Sequence, residues 1–329
     1  MDLLAYRIPN DSSVESLGSF KVMNNDVQKS TGFVVSNFYD TKKFVFESNS
    51  QEPFEPHSYA LHLNEQQPIS ISKERYIQQG RLALKLMPQK GIEKVVLSRI
   101  KTATFDTDKY WNLYTKLCTS YPKAFVYLIS SPHFGTWIGA TPETILESKG
   151  DIAKTMSLAG TKEVSKELEW STKERQEQQF VTEYISRELK NQGTNDININ
   201  GPYTAKAGNI EHLRSDITFD LNKKSPMDIA IGLHPTPAVN GVPKEQSKQL
   251  IKEIELEGSN QDRSIYTGFI GLASETYSKL YVNLRCCQLT KNNAHIYVGG
   301  GYTLQSDVES EWEETERKSE TLTRIFDLL

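Results

Sequence analysis

HIYVGGGYTLQSDVESEWEETERKSETLTRIFDLL, residues 295–329, is the stretch on which the reading of the whole chain turns. His295-Ile296-Tyr297-Val298 is strand-like and runs into Gly299-Gly300-Gly301. A turn follows, then a helical pattern that carries Glu311, Glu314 and Lys318. The spacing i, i+3, i+7 puts these three side chains on one helix face. The same stripe continues as Leu322, Ile325 and Leu329, so the face points toward a core. Two carboxylates and an ammonium on such a stripe are costly unless they are paired. A divalent cation is the simplest partner for the carboxylates. The glycines upstream allow a backbone to approach an anionic ligand closely.

A second helix repeats the device. No Gly or Pro interrupts residues 163–190, and Phe180, Val181, Tyr184, Ile185 and Leu189 recur with helical periodicity. Traced backward, the stripe passes through Glu177, Glu174 and Trp170. An E-x-x-E pair alone is ordinary solvated charge. Two pairs, each in line with a core stripe, point to something shared. Four carboxylates converging from two helices suit Mg2+, a hard cation that takes oxygen ligands.

The bulk composition excludes several classes. At 329 residues the chain has room for two domains or one large one. Its hydrophobic content is 37%, and no run approaches the ~18 apolar residues of a membrane-spanning helix. Net charge is -4 with no dense basic patch, which argues against a nucleic-acid partner. Cys118, Cys286 and Cys287 make neither a disulfide framework nor a C-x-x-C metal motif. With no signal-peptide pattern at Met1–Ala5, the expectation is a protein of the reducing cytoplasm, with no membrane or nucleic-acid partner.

Outward from the two helices, the elements mix. Phe33–Val35, Lys43–Phe46 and Lys94–Arg99 have strand character, and a helix is expected over Lys73–Met87. A further helix is expected near Asp108–Ser120. A hairpin pairs Ala124–Ile129 with Thr136–Gly139, a loop occupies 191–210, and a helix runs from Pro243 to about Glu257. Strands at Tyr266–Leu272 and Tyr281–Leu289 precede the C-terminal unit. There is no regular βαβ rhythm, so the expected class is α+β, with antiparallel sheets covered by helices.

Four side chains stand out, each with two readings. Lys94 opens an apolar strand, as an edge gatekeeper or as an amine in the desolvated site a general-base lysine needs. Glu143 follows a strand in Gly139-Ala140-Thr141-Pro142-Glu143, a position for an acid or for an ordinary exposed Glu. Arg285, expected mid-strand, wants a carboxylate, in the protein or in a ligand. His234, in Leu233-His234-Pro235-Thr236-Pro237, orders a loop or meets a substrate.

These residues fall in segments that resemble the chorismate-utilising enzymes, and among them the isochorismate synthases. The segments are KVVLSR at Lys94–Arg99, GATPE at Gly139–Glu143, LAGT at Leu158–Thr161, Lys173–Val181, HPTPAVNGVP at His234–Pro243, Arg263–Gly271, Arg285–Leu289 and Gly299–Lys318. They cover roughly residues 90–325 in the family's order. The resemblance implies a single large domain over 1–329, with antiparallel sheets in a sandwich-like core flanked by helices. In it, 1–90 is a shortened N-terminal part and 91–329 the catalytic core. It implies chorismate as substrate, Mg2+ as cofactor and a monomer. Glu177 and Glu311 match metal ligands, with Glu174 and Glu314 as the outer pair. Arg285, Lys318 and the amides around Gly300 and Gly301 match groups that hold substrate carboxylates. Ala159, Thr161 and His234 are expected against the substrate. Lys94 matches a base that activates water, and Glu143 an acid that protonates the departing hydroxyl.

The subtype rests on few positions. Relatives that use ammonia usually carry Gln where Lys94 stands, and aminodeoxychorismate synthases tend to carry Lys in place of Ala159. Salicylate synthases share the lysine, whereas His234–Pro237 resembles the isochorismate synthases. Gln178 departs from the pattern, since many relatives have His there. Isochorismate feeds menaquinone and catechol siderophores alike, so the resemblance does not name a pathway.

Overall fold

Short β-branched and aromatic runs between turns give this chain a strand-rich core. The computed structural model describes residues 1–23, 31–48, 55–56, 58–163, 169–207 and 210–329. The strands are β1 (Asp2–Arg7), β2 (Ser13–Val22), β3 (Gly32–Ser36), β4 (Lys43–Ser48), β5 (Lys94–Thr104), β6 (Phe125–Ser131), β7 (Gly135–Thr141) and β8 (Thr144–Lys149). There follow β9 (Ile152–Glu163), β10 (Asn195–Ala207), β11 (Ile210–Asp220), β12 (Gly241–Val242), β13 (Phe269–Ala273), β14 (Tyr277–Val282), β15 (Cys286–Thr290) and β16 (Asn293–Thr303). The helices are α1 (Lys73–Leu86), α2 (Tyr110–Ser120), α3 (Thr172–Asn191), α4 (Pro226–Leu233), α5 (Lys244–Ile251) and α6 (Val308–Phe326). None among the described residues is long and apolar enough to cross a membrane.

All strands join one antiparallel ladder in the order β10-β11-β9-β8-β14-β13-β3-β4-β2-β1-β6-β7-β15-β16-β5-β12. The ladder folds back on itself. Phe125 of β6 and Tyr281 of β14 lie far apart along it, yet their rings stack 4.4 Å apart at 7°. Tyr127 of β6 donates to Asn283 Oδ1 at 2.6 Å across the same gap. The two halves therefore face each other over an aromatic core of Phe20, Phe33, Trp137, Tyr266 and Tyr297, the packing of a sandwich. The first four strands complete the middle of the ladder, between β13 and β6.

The chain changes halves at 283–285. β14 pairs with β8 and β13, whereas β15 pairs with β7 and β16. The uninterrupted strand expected over Tyr281–Leu289 is thus two strands. Arg285 is not mid-strand but sits at the corner with φ 50, a left-handed conformation uncommon outside glycine.

Two other expectations change. The expected loop over 191–210 holds β10, which forms a hairpin with β11; residues 208 and 209 lie outside the described part. Its largely exposed outer strand alternates apolar and polar residues only over residues 196–200, and Gly201-Pro202 falls at a register shift between Asn200 and Tyr203. The helix expected from 163 begins at Thr172, because Ser171 and Glu174 form a reciprocal capping box. Glu163 ends β9, and 164–168 lie outside the described residues. Val181, Tyr184, Ile185 and Leu189 are buried as expected, but Phe180 is 49% exposed. It lies one position off the buried stripe.

Candidate active site

A cavity of about 550 Å³ opens between α3, α6, β5, β9 and the corner at Arg285. It is lined by Lys94, Glu143, Ala159, Glu174, Glu177, Arg285, Gly299, Gly301, Glu311, Glu314 and Lys318, among others. Residues distant in sequence converge here because each sits at an element's end or corner. Lys94 is the first residue of β5, Glu143 follows β7, and the two glutamate pairs span the first two turns of α3 and α6.

The ionic pattern is dense. Lys94 Nζ donates to Glu177 Oε1 at 2.7 Å. Lys318 Nζ meets Glu314 Oε1 at 2.6 Å and donates to the Gly299 carbonyl at 2.8 Å. Arg285 Nη1 donates to the Lys318 carbonyl at 3.3 Å, which ties the corner to α6. Ser306 Oγ donates to Glu311 Oε1 at 2.9 Å. Burial, then the neighbouring Glu314 charge, pushes Glu311 up to about 7. Burial works on Glu314 in the same direction, but the charge and hydrogen bond of Lys318, with smaller contributions from other neighbouring groups, together hold that carboxyl below its usual range.

Glu143 is 4% exposed. Burial pushes its carboxyl up to about 7, against the hydrogen bond from Thr236 Oγ1 at 3.2 Å and the charges of Lys94, Arg285 and Lys318. A carboxyl held near neutrality in a cavity is fitted to proton transfer.

The glycines allow two kinds of close approach. A Cβ on Gly301 would lie 3.2 Å from Lys94 Cε, and one on Gly300 would lie 2.9 Å from Tyr76 Oη and 3.1 Å from Glu311 Oε2. Gly299 and Gly301 line the cavity, and Gly300 does not, as side alternation along a strand requires. On one edge Gly299–Thr303 pairs with β5. The other edge runs past β15, whose pairing stops at Tyr297, and so leaves backbone groups available to a ligand.

Not every expected residue arrives. His234 does not line the cavity. Its Nε2 donates to the Phe38 carbonyl at 3.0 Å, its ring stands edge-on to Phe269, and burial pushes it down to about 4. Thr236, two residues on, is the member of that segment that reaches the acid. The Thr161 side chain lies outside the described part. Gln178 lies under the floor, where Nε2 donates to Ser157 Oγ at 2.8 Å. His212 lines the cavity unforeseen. It belongs to the hairpin that the sequence did not disclose. Burial, then Arg285, pushes it down to about 4, so it is neutral at pH 7.

The oxygen-rich donor set is that of a hard cation, and Glu311 is raised first by burial and then by the Glu314 charge beside it. The side chains themselves are engaged elsewhere. Glu177 and Glu314 are ion-paired, and Glu174 Oε2 accepts from the Ser171 amide at 2.8 Å. Among the described residues, no group of three or more His, Cys, Asp or Glu is arranged to hold a metal ion.

A family profile described as chorismate binding enzyme matches residues 21–327. Isochorismate synthase EntC of Escherichia coli K12 is 28% identical over 259 residues, covering 75% of this chain and 65% of that protein. Anthranilate synthase component 1 of Lactococcus lactis is 27% identical over 282 residues, covering 78% of this chain and 58% of that protein. The chain thus spans less than two thirds of the length of these curated relatives. The structure of MenF, the menaquinone-specific isochorismate synthase of E. coli, superposes with a TM-score of 0.81 at 19% identity, covering 99% of this chain and 89% of that one. That likeness shows a shared fold.

Proposed function

This chain belongs to the chorismate-binding enzymes, and from that premise we propose that it isomerises chorismate to isochorismate. The observation that carries the proposal is the pairing, in one cavity, of Glu143 held near neutrality with Lys94. An isomerisation that exchanges ring positions for a hydroxyl needs both. Water adds at one ring carbon and gives a proton to Lys94, which takes that role as the free amine, after the ammonium now paired with Glu177 has given up its own proton. The hydroxyl leaves from another carbon and takes the Glu143 proton, departing as water, and the allylic double bond shifts between them. Relatives that use ammonia differ at Lys94, which favours water here.

Arg285 and Lys318 supply cationic charge for the two substrate carboxylates, and the free edge at Gly299–Gly301 offers backbone donors. Glu177 and Glu311 would hold Mg2+, with Glu174 and Glu314 as the outer pair. When bound, the ion would anchor the ring carboxylate and take up charge as a Lewis acid. Ala159 belongs to the wall against the ring, Thr161 is assigned to the substrate by the resemblance alone, and His234 acts from behind that wall. The same reading treats 1–329 as one chorismate-binding unit, with 1–90 completing the sheet and 91–329 carrying the chemistry. It makes the protein a cytoplasmic monomer with free thiols at Cys118, Cys286 and Cys287.

The test is incubation of purified protein with chorismate, with and without Mg2+, and chromatographic resolution of products. Isochorismate accumulating beside chorismate, only with the metal, is expected. Salicylate with equimolar pyruvate would reassign the chain to the salicylate-forming branch. Chorismate binding with no product would make it a non-catalytic binding subunit.

A further inference from the structure

The most enclosed ion pair among the described residues lies outside the cavity. The Arg263 and Glu255 side chains are 1% and 0% exposed, and Arg263 Nε and Nη2 donate to the two Glu255 oxygens, each at 2.8 Å. Such a pair is weak evidence for stability, because apolar residues of similar size often serve as well. Its other bonds show what it holds. Arg263 Nη2 donates to the Val96 carbonyl at 2.6 Å, and Glu255 Oε1 accepts from the Ser98 amide at 2.6 Å. Beyond Lys94 and Val95, which pair with β12, side chains thus take the place of a neighbouring strand along β5. Arg263 Nη1 donates to the Val239 carbonyl at 2.9 Å. Val239 closes the turn that starts at Thr236, and Thr236 holds Glu143. Val96 and Val239 both line the cavity.

One rigid guanidinium therefore grips the strand that bears Lys94 with one nitrogen and the turn that holds Glu143 with another. A π-helical turn at Lys252–Glu257, continuing α5, delivers Glu255 to it; such turns recur at functional sites. Phe38 covers the guanidinium 4.3 Å from Cζ, and the Phe38 carbonyl is held by His234. We propose that Arg263 and Glu255 form a positioning bracket that sets the separation of the base and the acid across the cavity, with Phe38 and His234 bracing it from behind. The inference rests on the reading of Lys94 and Glu143 given above.

Arg263→Lys tests it, because lysine keeps the charge against Glu255 but replaces the planar fork with a point. The readouts are kcat and KM for chorismate at saturating Mg2+, per folded molecule, with the thermal midpoint alongside. A folded variant should lose on the order of 10²-fold in kcat, with KM held within about threefold, the signature of lost transition-state alignment. Arg263→Met with Glu255→Leu removes both charges together, leaves neither unpaired, and should lose kcat similarly. Native kcat in a folded form of either variant overturns the bracket while leaving the site reading intact. A native protein that makes no product from chorismate overturns the site reading and the bracket with it.

Discussion

Glu143 and Glu255 are equally hidden, 4% and 0% exposed, and they have opposite fates. Glu255 accepts from Arg263 twice, from the Ser98 amide at 2.6 Å and from Ser98 Oγ at 3.0 Å. Glu143 accepts one long bond from Thr236, and burial pushes it up to about 7. Burial alone does not make an acid. The hydrogen bonds that the carboxylate accepts decide whether it is held in a closed network or left under-satisfied. The fold uses Glu255 to hold its geometry and leaves Glu143 under-satisfied beside the cavity, where that cost can be turned to chemistry.

The comparison breaks first at turnover. Glu143→Gln keeps the shape and one acceptor but has no acidic proton, and should lower kcat by about 10²- to 10⁴-fold, equivalent to ~3–5 kcal/mol of barrier. The protein should stay folded, which circular dichroism would check. Near-native turnover in that variant would remove Glu143 from the mechanism. Glu255→Ala should do the reverse. It leaves Arg263 buried without its anion, so the expected loss is ~3–5 kcal/mol of stability, read by urea denaturation. A loss under ~1 kcal/mol would mean that water reaches and solvates the guanidinium.

A third prediction sharpens the contrast through pH. The folded-state value of Glu143, about 7, lies above the usual 4.5. The folded protein therefore binds this proton more tightly than the unfolded chain. The stability it contributes is full below about 4.5 and is lost as pH rises to about 7. Over that window the slope is ~1.4 kcal/mol per pH unit, for a total of ~3 kcal/mol. Glu143→Gln does not titrate, so it should match the native protein near pH 4.5 and exceed it by up to ~3 kcal/mol at pH 8. Parallel denaturation curves at the two pH values measure this. Equal stability at both would show that Glu143 titrates normally.

The same contrast explains what the sequence disclosed. Glu311, Glu314 and Lys318 were legible because one helix period places them together, and all three line the cavity from α6. Lys94 and Glu143 were legible as side chains at strand ends, but their meeting depended on a long-range topology that periodicity does not encode. Arg285 was misread because a left-handed Arg at a strand switch leaves no local signal. His234 and Thr236 stand two apart in one short segment, and nothing local says which side chain turns inward. The Arg263–Glu255 pair is short in sequence, but its purpose lies in bonds to Val96 and Val239, and those need the fold.

The smallest expected effect comes from the hydrogen bond that Thr236 gives Glu143. The Thr236 hydroxyl donates to Glu143 Oε1 and lowers its pKa, against the larger push of burial. Thr236→Val keeps the branched shape and deletes the donor. The Glu143 carboxylate then loses that stabilising contact, so its value should climb further. A general acid works in its protonated form, so turnover falls as pH rises through that value. The basic limb of the kcat profile, near 7 in the native protein, should therefore move upward in Thr236→Val, with the plateau at lower pH little changed. A limb that moved downward would mean that Thr236 bonds to the protonated carboxyl rather than to the anion. A limb that stayed put while the plateau fell would give Thr236 a role in placing the acid, and would shift the weight of the site from proton affinity to geometry.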